Sequence, residues 1–449
     1  MATFKAGFGR VNITPPLGVG LMGYFHERIS DGVLDELEAN CLAVNDGENT
    51  AIILSCDLVG SDKEQMNIFR QGIANAVNVP FDNVFIACTH THTGPDARKP
   101  TDPETSQHAT CSDQAYLDML ARKLATVAQL AITDLADATA MIGRNEVHNV
   151  AFIRRFRKKD GTASPFIGFN HPDIIGPIGE PDETVQVLRF DREGKKSIVV
   201  VNFQVHADMI GFEKISADFP RYVRETIELV YPDAHCLYYT GTQGNLGGVD
   251  PNGDPMLYDK FRVTDRLRRA KHAGRCIAGG VMQIYEKLTP VELGPIRALN
   301  KTANVKTSRV TDPEELAWAK EIHDLYISGR EDEIPGKGME KISATTKAGR
   351  IIALKDGPDF IPLTVYGIGF GDVAFVGFPG EPFCNVGKNT KKKSPFTMTI
   401  PCALTNSCDG YFPDLDAFDG GYETASSNFA PGVAEAITET AVELLNELK

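Results

Sequence analysis

The stretch VFIACTHTHTGP, residues 84–95, joins an apolar strand to a pair of histidines. The run Val84–Cys88 has the length and apolar character of a strand buried in a sheet, and a Gly-Pro pair ends the motif. His90 and His92 therefore lie where the strand ends. Residues two apart in an extended chain point the same way, roughly 6.5 to 7 Å apart, so both imidazoles can face one pocket. One could bind a metal while the other acts on a substrate, or both could alternate with threonines on a solvated strand end.

The composition is typical of a globular protein. Of 449 residues, 42% are hydrophobic and 24% are charged, as in ordinary folded domains. The length amounts to roughly three domains, although large α/β enzymes often keep this much chain in one or two. A formal net charge of −14 disfavours nucleic acid and membrane as partners, because contact with phosphates requires clustered Lys and Arg. We expect a small-molecule substrate, no nucleic-acid or membrane partner, and a chain compatible with a homo-oligomer.

The sequence features that bear on compartment favour the cytoplasm. The first residues lead into glycine-rich folded sequence without a signal-peptide pattern. No window approaches the roughly 18 apolar residues that span a bilayer. The nine cysteines are scattered and contain no CxxC pair, which favours reduced thiols over disulfides or a thiolate zinc site.

A second polar residue is predicted at the same sheet edge as His90. The strand at 51–56 ends at Asp57, a helical pattern follows at 63–77, and the strand before His90 comes next. A right-handed crossover makes these strands parallel, and ligands collect at the carboxyl edge of such sheets. Asp57 is therefore either a carboxylate that orients a histidine or a helix cap or turn residue.

A predicted hairpin brings a third histidine to a strand end. Strands at 185–190 and 197–204 flank an Asp-Arg-Glu-Gly turn, and His206 follows the second strand. The motif SADFPRY then begins a helix that runs through Leu229. Its Asp218 either caps this helix or reaches the outer coordination sphere of a metal.

A glycine-rich loop at 241–252 follows the strand at 235–240. Such glycines permit backbone conformations that aim several amides at one point, as an anion cradle or oxyanion hole. A plain structural loop is the alternative. The loop lacks the GxxxxGK[ST] order, which argues against a nucleotide P-loop.

The last third of the chain supplies one more strand-end candidate and an irregular region. Strands at 363–370 and 373–378 lead to Glu381, which is either a site residue or a glutamate stabilised by a helix N-terminus. The polar region 293–357 is predicted to be an insertion or small subdomain, and 1–292 with 358–449 to form one catalytic domain. A loop at 98–110 is either a lid or a surface excursion. The predicted fold is α/β, in the mixed α+β sense: layered mixed sheets with flanking helices and a metal site at the strand ends.

Taken in order, the motifs carry a family resemblance. They are GxGRxxITPP with LMGY, the SxD strand end at Asp57, THTHTGP, the lone His206, SADFPRY, QGNLGG, PGEPF, and a late GY followed by YE. The chain resembles the catalytic N-terminal domain of the neutral/alkaline (non-lysosomal) ceramidase family along nearly its whole length. Two features of that family are not expected here: the serine of its glycine-rich loop, replaced by Gly247-Gly248, and its C-terminal β-sandwich.

The resemblance implies one zinc ion per chain. Its ligands would be His90, His206, Glu381 and Tyr411, a nitrogen and oxygen set that suits zinc. Zinc would lower the pKa of a water from 15.7 to about 7 and polarise the scissile carbonyl. His92 would be a proton shuttle or substrate contact.

Two further catalytic contributions are expected. Tyr411 could instead donate to the oxyanion, and backbone amides near Gly244 to Gly248, with Gly244 and Asn245 as the candidate residues, could assist. The resulting hypothesis is a zinc-dependent hydrolase that uses metal-activated water on an amide (N-acyl) bond of a small soluble substrate. The alternatives are an ester, lactone or glycosidic-bond hydrolase acting on a sugar-like metabolite, and a non-catalytic metal-binding or ligand-binding relative.

Overall fold

Two mixed β-sheets pack face to face in the computed structural model, and helices cover their outer faces. The structure describes residues 4–99, 113–165, 171–250 and 263–449. Most of the loop predicted as a lid, and the last two residues of the glycine-rich loop, lie outside these ranges. The four layers confirm the predicted α/β class with layered mixed sheets and flanking helices.

The described elements have the following bounds. The strands are β1 (Lys5–Asn12), β2 (Gly32–Val33), β3 (Glu38–Asn45), β4 (Thr50–Cys56), β5 (Val84–Cys88), β6 (Ala136–Glu146), β7 (Phe152–Ile153), β8 (Arg155–Lys158), β9 (Ala163–Pro165), β10 (Ile174–Pro177), β11 (Thr184–Arg192), β12 (Ser197–Phe203), β13 (Lys214–Ile215), β14 (Ala234–Thr240), β15 (Leu246–Gly247), β16 (Thr289–Val291), β17 (Ile296–Lys306), β18 (Phe360–Phe370), β19 (Val373–Gly377), β20 (Glu381–Pro382), β21 (Met398–Cys402) and β22 (Tyr411–Phe412). The α-helices are α1 (Lys63–Val77), α2 (Gln114–Thr133), α3 (Asp218–Val230), α4 (Val263–Met282), α5 (Pro313–Ile327), α6 (Met339–Leu354), α7 (Cys384–Lys393), α8 (Tyr422–Ser426) and α9 (Val433–Leu448).

The larger sheet has nine strands, in the order β14-β12-β11-β6-β1-β3-β4-β5 with β16 beside β6. Strands β4 and β5 are parallel and connected through α1, and β11 and β12 form an antiparallel hairpin. Both connections agree with the sequence prediction. Strand β12 is also parallel to β14, with α3 as the connection. Two strand-helix-strand units therefore direct their carboxyl ends toward a common edge.

Alternating side chains of the larger sheet serve two different layers. In β12, Val199 and Val201 face the cluster formed with α3 and α4, while Ile198 and Val200 face the second sheet. This alternation follows from the period-2 geometry of a strand. Each fully buried aliphatic side chain contributes about 1.5–3 kcal/mol of hydrophobic stabilisation, which explains why these strands read as continuous apolar runs.

The second sheet has the order β17-β18-β19-β21, and helices α7 and α9 cover its outer face. Strand β17 pairs with β18 over its whole length, so the first part of the region predicted as an insertion belongs to this sheet. Helices α5 and α6 of the same region pack on each other around a small apolar cluster of their own. That residues 293–357 form an insertion or small subdomain stays a prediction.

The two end strands of the larger sheet, β5 and β14, approach each other. Thr240 Oγ1 donates a hydrogen bond to Thr89 O over 2.9 Å, just past the ends of these strands. The segment 403–406 after β21 bonds to both strands, through Ala403 N to Thr240 O and Asn406 N to Ile86 O. This closure brings the loops that follow β5, β12, β14 and β19 to one place. Within the described residues, no helix is long and apolar enough to cross a membrane.

Candidate metal centre

Three strand ends deliver His90, His206 and Glu381 to one buried cluster. His90 lies two residues after β5, His206 three residues after β12, and Glu381 begins β20. The Nε2 atoms of His90 and His206 are 3.2 Å apart. Glu381 Oε2 is 3.2 Å from His90 Nε2 and 3.0 Å from His206 Nε2. Three of the residues that strand-end reasoning singled out therefore meet.

Backbone carbonyls fix the orientation of both histidine rings. His90 Nδ1 is 2.7 Å from Val59 O, and His206 Nδ1 is 3.1 Å from both Gln243 O and Leu246 O. A carbonyl can only accept, so Nδ1 of each ring carries the proton and Nε2 turns its lone pair into the cluster. A histidine that binds a metal usually has this support on its other nitrogen.

The cluster has the donor atoms and the spacing of a metal site. Among the described residues, the buried Glu381 Oε2 meets only the imidazoles of His90 and His206. When both imidazoles are neutral, two nitrogen lone pairs and a carboxylate oxygen face one another at 3.0–3.2 Å. Four ligands at 2.0–2.1 Å from a tetrahedral zinc are separated by about 3.3 Å. The residues therefore fit a divalent cation of the kind that nitrogen and oxygen ligands prefer.

His92 also lies at the cluster, with Nε2 3.1 Å from that of His90. The ligand nitrogens of His90, His92 and His206 all lie within 4.8 Å of one another, so these three histidines could also hold a metal ion. The extended geometry assumed from sequence is wrong in detail, because His90 has φ 67° and the chain turns there. The rings consequently converge, with centroids 4.7 Å apart.

The opening motif LMGY packs against His92, a role that its sequence did not reveal. A Cβ on Gly23, which has φ +111°, would come within 2.6 Å of His92 Cγ. Glycine is therefore required by both backbone conformation and space. The Tyr24 ring meets the His92 ring edge-on at 5.8 Å, and Arg28 donates to His92 O at 2.7 Å.

The predicted fourth ligand, Tyr411, lies beside the cluster and is held by an arginine. Tyr411 is the backbone pairing partner of Glu381, because strands β20 and β22 run parallel and side by side. Arg154 Nη2 donates to Tyr411 Oη at 3.0 Å and to Gly244 O at 2.9 Å, and Arg154 Nε is 2.7 Å from Glu423 Oε1. The guanidinium therefore links Tyr411, Glu423 and the glycine-rich loop.

The charges of the cluster are mutually dependent. Burial opposes charge on His90, but the Glu381 carboxylate outweighs burial and raises the pKa of His90 above its ordinary value. Burial likewise opposes charge on Glu381, yet the two histidines hold its pKa well below the usual range. Burial, reinforced by His90, lowers the pKa of His92 well below its ordinary value, and burial with Arg154 lowers the pKa of His206. His92 and His206 are therefore neutral near pH 7, with lone pairs available.

Asp57 is at the predicted edge but does not orient a histidine. Its two oxygens accept from the Arg224 guanidinium at 3.0 and 2.6 Å, and further bonds come from Thr89 Oγ1 and the Glu38 amide. This corrects the prediction that it supports a ligand. The physical reason is that a fully buried carboxylate needs a cation, and Arg224 of α3 provides it.

Asp218 is the first residue of α3 and not its cap, because Ala217 occupies the N-cap position and no side chain caps the helix there. The Asp218 oxygens accept from the amides of Ile210 and Phe219, both at 2.6 Å. It contacts no ligand histidine through these bonds, so the outer-sphere role is not supported. It ties the loop after His206 to the start of α3, and burial raises its pKa to about 7.

The glycine-rich loop does not offer the amide that was predicted at Gly244. That N–H donates to Pro382 O at 2.9 Å, and a Cβ there would lie 2.4 Å from Glu381 O. Asn245 uses its side-chain oxygen to accept from the amide of Cys384 at the start of α7. The loop thus packs the Glu381 segment in place, and the prediction that the Gly244 amide assists an oxyanion is corrected.

Four residues beside the cluster were missed or left without a role by sequence reasoning. Arg154 and Glu423 form the ion pair described above, Tyr422 meets the Tyr411 ring at 5.9 Å, and Asp208 follows His206 by two residues. Asp208 bears a negative charge that acts on both His92 and His206. Asp208 carried a signal because it lies on the same strand-end segment as a candidate ligand, and Tyr422 and Glu423 are the YE pair of the motif series, so Arg154 alone carried none.

We expect Glu381→Gln to lower zinc affinity about tenfold or more. The change replaces a carboxylate, the only anionic ligand among His90, His206 and Glu381, by a neutral amide that binds the cation more weakly. A competition titration with a chromogenic chelator measures this affinity. Glu443→Gln, which alters an exposed carboxylate of α9 that pairs with Lys301, should leave zinc affinity unchanged. Equal affinity in Glu381→Gln and the unaltered protein would reduce Glu381 to a structural residue at the start of α7.

Fold and site together define an α/β protein with a candidate metal site at a sheet edge. No protein-family model and no curated protein matches the sequence. Solved structures match the fold, among them two of ceramidases. The crystal structure of neutral ceramidase from Pseudomonas aeruginosa has a TM-score of 0.74 at 16% identity, over 100% of this chain and 75% of that one. A ceramidase structure described as complexed with C2 has a TM-score of 0.72 at 15% identity, over 100% and 76%. The chain has a ceramidase-like fold.

Proposed function

We propose that this protein is a zinc-dependent hydrolase that cleaves the amide bond of a small, soluble N-acyl compound. The observation that carries the proposal is the convergence of His90, His206 and Glu381 acceptor atoms, within 3.2 Å of one another, at a closed sheet edge. The ceramidase fold of two solved structures supports amide hydrolysis. Zinc, when bound, supplies Lewis-acid activation of water and of the scissile carbonyl.

The chain's own residues divide the remaining work. His90, His206 and Glu381 hold the cation, with Tyr411 as the fourth ligand or as a donor to the oxyanion. Arg154 donates to Tyr411 Oη at 3.0 Å, so it keeps that oxygen in place and stabilises negative charge beside it. His92 is neutral and lies next to His90, and it accepts the proton of the attacking water and returns it to the leaving amine.

The surroundings of the cluster favour a polar substrate. Arg154, Asp208, Glu423, Tyr24 and Tyr422 are the side chains beside the histidines and Tyr411. Hydroxyl, carboxylate and guanidinium groups in this arrangement make the surroundings of the cluster polar, which favours a ligand with polar groups of its own. The same observation favours a second candidate, hydrolysis of an ester, lactone or glycosidic bond in a sugar-like metabolite. We place this activity in the cytoplasm, on a small molecule and without a nucleic-acid or membrane partner.

Metal content together with a substrate screen tests the proposal. The protein is purified without chelator, analysed for metals, and assayed on N-acyl, ester, lactone and glycoside libraries before and after chelation. We expect about one zinc per chain and chelator-sensitive release of an acyl group from an amide. Zinc without any turnover would make the protein a binding relative, and turnover that is indifferent to chelation would reject the metal mechanism.

A further inference from the structure

A second cavity, distinct from the metal centre, has a volume of about 630 Å³. It lies between the end of β17, the helix pair α5 and α6, and the segment that leads into and through α8. Pockets that enclose small organic ligands have volumes of about 300–1,000 Å³. The cavity is therefore large enough for a molecule of that class.

The lining of this cavity is positively charged. It includes Lys306, Arg309, Lys347 and Arg350, while none of the described residues that line it is acidic. Arg309 pairs with Asp359, and Lys347 is 2.7 Å from Glu315. Lys306 and Arg350 form no ion pair within the described ranges. Two uncompensated cations in one concave site are unusual in a chain whose net charge is −14.

Arg350 is held in place by hydrogen bonds to neutral groups. Its Nε donates to Ala425 O at 2.9 Å, and its Nη1 donates to Ser308 O at 3.2 Å and to the Ser308 hydroxyl. Its Nη2 makes no hydrogen bond with any described residue. A guanidinium fixed by two backbone carbonyls is preorganised for an anion, because little side-chain entropy is lost on binding.

Part of the remaining wall of the cavity is apolar. Trp318, Phe418, Phe429 and Pro431 contribute to it, and the Lys347 ammonium lies 5.2 Å from the Trp318 ring. Aromatic faces of this kind accommodate the body of a ligand while the cations fix a negatively charged group. The combination suits an organic anion better than an inorganic one.

Helix α8 separates this cavity from the metal centre. Tyr422 meets the Tyr411 ring on one side, and Glu423 pairs with Arg154 there. Thr424 and Ala425 line the cavity on the other side. The two sites are thus neighbours without sharing a residue that binds the cation.

We propose that this cavity is a second ligand site, which binds a small organic anion: a carboxylate or phosphate ester carried on a ring-shaped body. Arg350 and Lys306 bind the anionic group, and the ring packs on Trp318. The proposal does not depend on the hydrolytic activity, since it concerns residues outside the metal centre.

Trp318 is the only tryptophan of the chain, so its fluorescence reports on the cavity directly. The full-length protein is titrated with glucuronate and with glucose 6-phosphate, with glucose as the neutral match and sodium chloride at equal ionic strength. We expect a saturable change with a dissociation constant of about 1 mM or tighter for at least one of the two anions, the affinity that two charge-assisted hydrogen bonds provide. Glucose and sodium chloride should give no saturable change in Trp318 fluorescence.

Variants assign the response to the two cations. Arg350→Gln and Lys306→Gln should each weaken binding about tenfold, and Lys306→Gln leaves the fold intact because its side chain is exposed. Lys320→Gln, an exposed position of α5 paired with Asp324, is the matched control and should bind as the unaltered protein does. Three results would each overturn the proposal. They are an equal fluorescence response to glucose, unchanged affinity in both Arg350→Gln and Lys306→Gln, and no fluorescence response to either anion at tens of millimolar.

Discussion

Replacing His206 or His90 by alanine empties the metal centre: we expect zinc affinity to fall at least about 100-fold, since the loss of a first ligand exceeds the 10-fold to 100-fold cost of losing its supporting partner. Each ring contributes one Nε2 lone pair whose direction is fixed by a backbone carbonyl, Val59 O or Gln243 O. Alanine removes the imidazole nitrogen that would bind the metal. Only one of the two nitrogens that lie 3.0–3.2 Å from Glu381 Oε2 then remains.

Elemental analysis after dialysis against a weak chelator measures this effect. His148→Ala is the matched control, because His148 is exposed on the surface and pairs with Glu183 far from the cluster. Its zinc content should equal that of the unaltered protein. Full zinc occupancy in His206→Ala would contradict the ligand assignment, provided that thermal unfolding shows the variant to be folded.

Local patterns were sufficient to predict the residues that meet at the cluster. His90, His206 and Glu381 each follow an apolar run of strand length, and such runs end at the edge of a sheet where ligands collect. The crossover through α1 and the hairpin of β11 and β12 could also be predicted from the sequence. The apolar runs, the helical spacing of apolar residues and the turn residues all indicated the same elements. What these patterns report is the position of each strand end along the chain.

Partners that lie far apart in sequence were beyond such reasoning. Asp57 was expected to orient a histidine, but it pairs with Arg224, which lies 167 positions away on α3. The local sequence pattern gave no indication that this helix packs beside Asp57. Strands β3, β6 and β17 were not predicted. In β6 and β17 exposed and half-buried positions interrupt the apolar pattern, and pairing with neighbours decides their structure instead. The fit of Gly23 against His92 likewise depends on a contact between segments that only the tertiary fold brings together.

His92→Ala is expected to retain zinc and to lose turnover by about 10²-fold to 10⁴-fold, the contribution of a positioned general acid and base. Unlike His90 and His206, which donate from Nδ1 to backbone carbonyls, the His92 ring donates no hydrogen bond from Nδ1 to any described residue. A ligand histidine normally has that support, whereas a proton shuttle needs one nitrogen free to exchange. The ring is instead placed by packing, between the backbone of Gly23 and the edge of Tyr24.

The same variant distinguishes two ligand sets. If His92 belongs to a three-histidine site with His90 and His206, which their nitrogens within 4.8 Å of one another would allow, alanine at this position lowers zinc affinity as strongly as it does at His206. If Glu381 completes the site instead, zinc stays and only kcat falls, with KM little changed. Zinc content and steady-state kinetics of one variant thus assign both the third ligand of the site and the residue that moves the proton, because an imidazole lone pair that binds zinc cannot also accept a proton.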